Sequence, residues 1–473
     1  MKRNWTKPVV AVVALSLVAA ACGDDDEPAA DEPTEDTADA GDDTEDTTAD
    51  TEGGDGAAGE SLLDGAIPCE NQHEGKTVSV FSPVRDSEND TPVADFVAGY
   101  DPLVECTGVE IDWQGTDQFE TEINVRLQGG DPPDVIDYPQ PGLMANHVES
   151  GYLTALPDDL AESTANDFIS GWDSYATFDG TVYGIPGRSN VKSLVWYSPT
   201  AFAEAGYEVP TTLEGLKELS DQIVADGGVP WGVGAESGVA TGWVLTDWME
   251  DFMLRVNGEE VYDQWVNHEI PFNDPQVLDV VNAVGEYVKN PDYLGGENNV
   301  KAIATTKFQD GGLCVATGEC YMHRQASFYS TLFPEGTEIG PEADVWYFYL
   351  PSPEGGPNYL LGAGDIYAAG TDKPETMDVL RYTGSVDYQT YMVNTRGELS
   401  PHLAIDPAAI EDELIRGLSE LQLGADVFRF DASDLMPGAV GAGSFWTEVT
   451  AWVIDSIDAQ TFVNNVEDSW PAS

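Results

Sequence analysis

The stretch FETEINVRLQGGDPPDVIDYP, residues 119–139, decides the fold. It reads as a helix halted by Gly129-Gly130, then a strand over Asp134–Asp137. The same order stands just before it. KTVSVFSPV (76–84) is β-branched and alternating, a strand entering a polar loop. VADFVAGYDPLVECTG (93–108) then predicts one helix ending near Gly108, ahead of a second strand, VEIDW. Further on, PTTLEGLKELSDQIVADGG (210–228) predicts a helix capped by Thr211 or Thr212. Its apolar face is Leu213, Leu216, Leu219 and Ile223, and Gly227 ends it. NDPQVLDVVNAVGEYVKNP (273–291) predicts another, with Asp274 as cap and Pro275 at the first helical position. Val277, Val281, Val284 and Val288 make its face. Strands alternating with helices give an α/β fold with mostly parallel sheets, whose ligands sit beyond the carboxyl ends of the strands.

The amino end has a different logic. Lys2, Arg3 and Lys7 precede an apolar run from Val9 to Ala20, and Ala19-Ala20-Ala21 leads into Cys22. That is a secretory signal over 1–21, too short to span as a mature helix. A cysteine at the cut predicts a lipobox, with Cys22 carrying the lipid. Residues 23–60 hold 17 Asp and Glu, no Lys or Arg, no aromatic and no large aliphatic residue. Such a segment cannot offset its ordering entropy, so 22–60 is expected to be a disordered, self-repelling tether.

The chain has 473 residues and a net charge of −67. Most of that charge belongs to the body beyond the tether, which excludes nucleic acid and anionic lipid surfaces as partners. About 410 residues of body call for at least two lobes. Four cysteines remain after Cys22, and an even count in an exported chain predicts two disulfides. Sequence proximity favours Cys69–Cys106 and Cys314–Cys320 among the three pairings. No CxxC or HExxH occurs, and His73, His147, His268, His323 and His402 are scattered, so no metal and no cofactor is expected. There is no nucleophile elbow, P-loop or dinucleotide fingerprint. A glycosidase needs only two carboxylates on separate strands and stays open as an alternative. Twelve tryptophans, several in polar settings, point towards carbohydrate: a sugar wants flat rings against its C–H faces and polar side chains around its hydroxyl rim. TGWVLTDWMED (241–251) offers both within one turn and helix.

Several longer stretches resemble a known family. TEINVRLQGGDPPDVIDYPQPG (121–142), GYLTALPDDL (151–160) and YGIPGRSNVKSLVWYSPTAFAEAGYEVPTTLEGL (183–216) resemble the extracytoplasmic sugar-binding proteins of ABC importers, the maltose-binding type. CYMHRQASF (320–328), GAGDIYAA (362–369) and FDASDLMPGAVGAGSFW (430–446) resemble its α-glucoside-binding subgroup. The resemblance implies a two-lobed type II periplasmic-binding-protein fold with a hinge and an interlobe cleft. One lobe is expected at 61–187 plus 341–390, the other at 188–340 plus 391–473. It implies a non-enzymatic, monomeric lipoprotein that gives its sugar to the transmembrane subunits of an ABC permease. Its contact with the membrane would be through the lipid alone. Matching motifs make Trp446 a stacking ring, Phe328 a second aromatic, and Asp365 and Arg324 hydroxyl binders. Arg85, Asp86, Asp137 and Gln140 are the candidates from the first lobe, Trp243, Asp247 and Glu250 from the second. A polyol or an anionic sugar remains open as the ligand; Arg85, Arg188 and Arg324 converging in one cleft would favour the anionic case.

Overall fold

The computed structural model describes residues 61–86, 91–169 and 171–471. The expected signal, the lipidated Cys22 and the tether lie outside the described residues. The described residues form one compact unit.

Two sheets organise it. The larger contains β1 (Thr77–Ser82), β2 (Glu110–Gly115), β3 (Val135–Tyr138), β4 (Gly184–Val191), β8 (Tyr359–Ala369) and β9 (Val427–Phe430). The smaller contains β5 (Leu194–Tyr197), β6 (Met322–Arg324) and β7 (Trp346–Tyr349). β1 pairs in parallel with β2 and β3, as the strand–helix alternation predicts. β8 is the long member. Its second half pairs antiparallel with β3, its first half in parallel with β9, and its other edge antiparallel with β4. The range expected for the second lobe thus begins inside β4, and its β9 joins the larger sheet. From β4 the chain passes through Lys192 and Ser193 straight into β5, at the centre of the smaller sheet.

The helical expectations hold where a cap defines them. The helix Leu213–Ala225 starts at Thr212, whose hydroxyl accepts from the Gly215 N–H at 3.0 Å. Leu216, Leu219 and Ile223 are buried, and Gly227 takes φ +86° just beyond the end. The helix Pro275–Val288 is capped by Asp274, and its valine face is buried. One expectation fails. Residues 93–108 form two helices, Val93–Ala98 and Asp101–Thr107. Pro102 has no N–H to donate to the Ala98 carbonyl, so the ladder breaks there.

Separate apolar cores lie under the two ends of the molecule. One gathers Val78, Val80, Ile123, Ile136 and Ile366 about the larger sheet. The other packs Trp231, Trp248, Phe252, Tyr262 and Trp265 among helices. Trp231, set in GVPWGVG, and Trp248, in TGWVLTDWMED, are two of the tryptophans in polar settings, and both belong to this core. Their rings meet edge to face at 5.2 Å and both touch Tyr287. No helix among the described residues is long and apolar enough to cross a membrane.

Both expected disulfides are formed, Cys69–Cys106 and Cys314–Cys320. The first spans 37 positions and ties the segment before β1 to the helix Asp101–Thr107. Replacing both of its cysteines by serine should lower stability by about 3–4 kcal/mol through the unfolded state. Urea denaturation reads this directly; an unchanged midpoint would show that the cross-link constrains nothing.

Candidate functional site

At the carboxyl ends of the parallel strands, β1 and β3 bring two polar residues together. The Ser82 hydroxyl donates to Asp137 Oδ2 at 2.6 Å, and Asp137 is fully buried. Its other oxygen, Oδ1, has no hydrogen-bond partner among the described residues. Burial first, then the nearby Asp365 charge, pushes the Asp137 carboxyl well above the usual carboxylate range. Asp365, on β8, is ion-paired with Arg188 on β4, which also reaches Glu398 at 3.3 Å. One residue beyond β3's loop, Gln140 caps no helix with its side chain. Its Nε2 donates to Glu120 Oε1 at 3.0 Å and its Oε1 is buried without a partner among the described residues.

The second group sits at the head of the long helix Trp243–Val266. Trp243 is half-buried and stands against Phe308 and Phe328, with ring centroids 5.2 and 6.0 Å away. One turn in, Asp247 and Glu250 are fully buried. Asp247 accepts from Lys192 Nζ at 2.8 Å and from Arg324 at 3.0 Å. Glu250 accepts the Ser433 N–H at 3.0 Å through Oε1, while its Oε2 is buried without a partner among the described residues. Lys192 also pairs with Asp431, the cap of the short helix Ala432–Leu435. Oxygens of Asp247, Glu250 and Asp431 approach within 4.8 Å of one another. The Lys192 ammonium already supplies two of these carboxylates with a cation, so the trio is an ion-pair network and a poor fit for a metal.

Trp446 enters from a third direction. It opens the helix Trp446–Val453 after a π-helical turn, Val440–Phe445, and is only 3% exposed. Its Nε1–H is buried without a partner among the described residues, as are those of Trp248 and Trp265 in the helical core. Glycines place it. A β-carbon at Gly441 would fall 1.7 Å from the Ser433 carbonyl oxygen, and one at Gly242 would fall 2.3 Å from the Trp446 carbonyl oxygen. Only glycine allows the π turn to lie on the Asp431–Ser433 segment and Trp243's helix to start against Trp446.

The two groups face each other. A β-carbon at Gly142, in the helix after β3, would meet the Met436 carbonyl oxygen at 2.0 Å. The Glu120 charge acts on Asp434, at the end nearest this contact. Burial drives Asp434 and Glu250 well above the usual carboxylate range, and Glu120 upward too. Asp431 goes the other way: burial would raise it, but Lys192 holds it at about 2.

These directions give a pH prediction. Carboxyls raised in the folded state contribute stability below their unfolded pKa and lose it as pH rises through the folded value. Depressed ones, such as Asp431, lose theirs only as pH falls towards the folded value. The thermal midpoint should therefore climb from pH 8 to pH 5 and fall again below about pH 4. A midpoint that declines steadily from pH 8 to pH 5 would contradict this balance.

The remaining expected residues are placed differently. Arg85 is exposed and pairs with Asp117 at 2.9 Å; Asp86 accepts the Val93 N–H at 3.1 Å, supporting the start of a helix. Both serve local structure at a surface turn, away from the buried groups. Arg324 is fully buried, donating to Asp251 at 3.0 Å and to Asp247. Its guanidinium is committed to carboxylates instead of standing free for hydroxyls. Arg85, Arg188 and Arg324 thus neutralise three different sets of acids and do not converge. Sequence reasoning missed Lys192, Glu120, Phe308 and Asp431. A lysine inside the apolar run VKSLVWY (191–197) is the one signal that could have been caught.

Comparison with known proteins sets this geometry in a family. Residues 93–385 match the model for the bacterial extracellular solute-binding protein. The chain belongs to that family. It is 38% identical over 393 residues to the alpha-glucosides-binding periplasmic protein AglE of Rhizobium meliloti, covering 80% of this chain and 84% of that one. It is 41% identical over 376 residues to the osmoprotective compounds-binding protein GgtB of Synechocystis, covering 78% and 87%. Among solved structures, a chitin oligosaccharide binding protein superposes with a TM-score of 0.70 at 18% identity, covering 83% of this chain and 97% of the other. Maltose-bound MalE3 of T. maritima gives 0.65 at 15% identity, covering 83% and 98%. The fold is therefore the two-lobed type II, maltose-binding-like one.

Proposed function

We propose that this solute-binding protein captures an α-glucoside or a related oligosaccharide between its lobes and delivers it to an ABC permease, held at the membrane by a lipid on Cys22. The observation that carries the reading is the half-buried ring cluster Trp243–Phe308–Phe328, taken with polar atoms of Trp446, Glu250, Asp137 and Gln140 that are buried without a partner among the described residues. Flat rings suit the C–H faces of a sugar, and orphaned donors and acceptors suit its hydroxyls. Trp446, Trp243 and Phe328 are the stacking residues; Asp137, Gln140, Asp247, Glu250 and Asp365 are the polar contacts. Arg324 acts through Asp247. The identity to AglE supports an α-glucoside. The similar identity to GgtB favours a second reading, a smaller osmoprotective compound in the same cleft.

The reading requires that no bond be broken. Incubation with maltodextrin or trehalose should return the sugar intact, and released monosaccharide would make the protein a hydrolase. For the anchor, Cys22→Ser should abolish incorporation of labelled palmitate in the cell; undiminished labelling would refute lipidation there.

A further inference from the structure

Lys192 lies where the chain leaves β4 for β5, and its own N–H donates to the Leu361 carbonyl of β8 at 2.8 Å. Its backbone is therefore fixed to both β4 and β8 of the larger sheet. Its side chain is 8% exposed, and its ammonium makes three contacts on two distant elements. It donates to Asp247, one turn into the helix that Trp243 begins. It pairs with Asp431, whose own N–H donates to the Gly362 carbonyl of β8 at 2.8 Å. It also stands 5.6 Å from the centroid of the Trp243 ring. From Asp431 the chain leads through Ser433, under the π turn, to Trp446.

We propose that Lys192 is a positioning residue that sets Trp243 and Trp446 relative to β4 and β8, and so tunes ligand affinity without touching the ligand. This rests on the reading of those rings as the sugar platform.

The local charge balance explains why one ammonium can do this. Asp247, Glu250, Asp251 and Arg255 face the cluster from the long helix, Arg324 from β6, and Asp431 and Asp434 from the short helix and its cap. Asp251 has Arg255 and Arg324, and Asp247 has Arg324 besides Lys192. Asp431 has an ion pair with Lys192 alone among the described residues. Without Lys192, Asp431 is a buried charge with oxygens of Asp247 and Glu250 within 4.8 Å, and Trp243 loses its cation. Repulsion then parts the segments that carry the two tryptophans.

The test uses maltose and trehalose with the full body. Lys192→Met should weaken binding at least tenfold at pH 8. Its deficit relative to wild type should shrink towards pH 5, as the unpaired Asp431 takes a proton. Lys192→Met with Asp431→Asn removes the charge pair together, keeps a helix-capping side chain, and should bind within threefold of wild type. A single variant that binds like wild type overturns the proposal. So does a double variant as weak as the single, because Lys192 would then be contacting the sugar itself. Near-ultraviolet circular dichroism provides an arm without ligand: the change caused by Lys192→Met should shrink when Trp243 is already Phe, leaving the share that Trp446 contributes. If it persists unchanged in that background, Lys192 does not position Trp243. If wild type takes neither sugar, the proposed function fails, and the dichroism arm still decides this one.

Discussion

Arg324→Met should destabilise the folded body by about 3–5 kcal/mol, the largest single-residue stability effect expected away from the apolar cores. Arg324 is fully buried, with its Nε and both terminal nitrogens engaged by Asp247 and Asp251. Asp251 in turn accepts from Ser193 and from Arg255, whose Nη2 reaches the Leu350 carbonyl at 2.6 Å. One guanidinium thus ties β6 to the long helix and, through Asp251, to the start of β5. Its removal leaves carboxylates in a dry interior with too few partners, and that desolvation penalty exceeds the value of the lost contacts. Chemical denaturation measures the loss. Adding Asp251→Asn should recover part of it; a double variant weaker by the full sum of two singles would show that the groups do not act as a pair.

Trp446→Ala should weaken sugar binding at least tenfold, about 1.4 kcal/mol or more. The residue is buried yet has a partnerless Nε1–H, and glycine contacts on two sides hold its backbone in place. Trp446→Phe separates two contributions: it keeps an aromatic face and deletes the donor, so its loss should be smaller than that of Ala. Isothermal calorimetry reads both. Equal dissociation constants for wild type and Trp446→Ala would remove this ring from the site.

The fold was legible wherever local chemistry acts alone. Thr212, Asp274 and Pro275 cap or open their helices as their residue types demand, and both cysteine pairs closed as proximity suggested. The break at Pro102 was equally local and visible in principle. Long-range pairings were not legible. That β8 takes β3 and β9 on one edge and β4 on the other depends on residues hundreds of positions apart.

The site divides the same way. Trp243, Phe328 and Trp446 were recognisable as aromatics within characteristic stretches. Trp231 and Trp248 looked equally available and lie in the core, because the sequence does not say what packs against a bridge residue or against one face of a helix. Phe308 in TTKFQDGG and Glu120 in an ordinary amphipathic helix carry no local mark. Their roles arise from what packs opposite them. Arg85 and Asp86 illustrate the converse: a charged pair after a strand suggested a binding loop, and the structure uses it for an exposed ion pair and a helix start.

The acidity has a consequence of its own. A body with so few basic residues places nearly every buried one against carboxylates: Arg188 on Asp365, Lys192 on Asp431, Arg324 on Asp251. Each cation is therefore a structural node, and its loss leaves buried anions behind.

The sugar site proposed at the rings and orphaned polar atoms is tested by calorimetric titration of residues 61–473 with a panel of α-glucosides, alongside the same panel on Trp243→Ala. Saturable one-to-one binding of at least one α-glucoside by wild type, weakened at least tenfold in the variant, is the predicted result. Absence of binding across the panel, or equal affinity in both proteins, would contradict it.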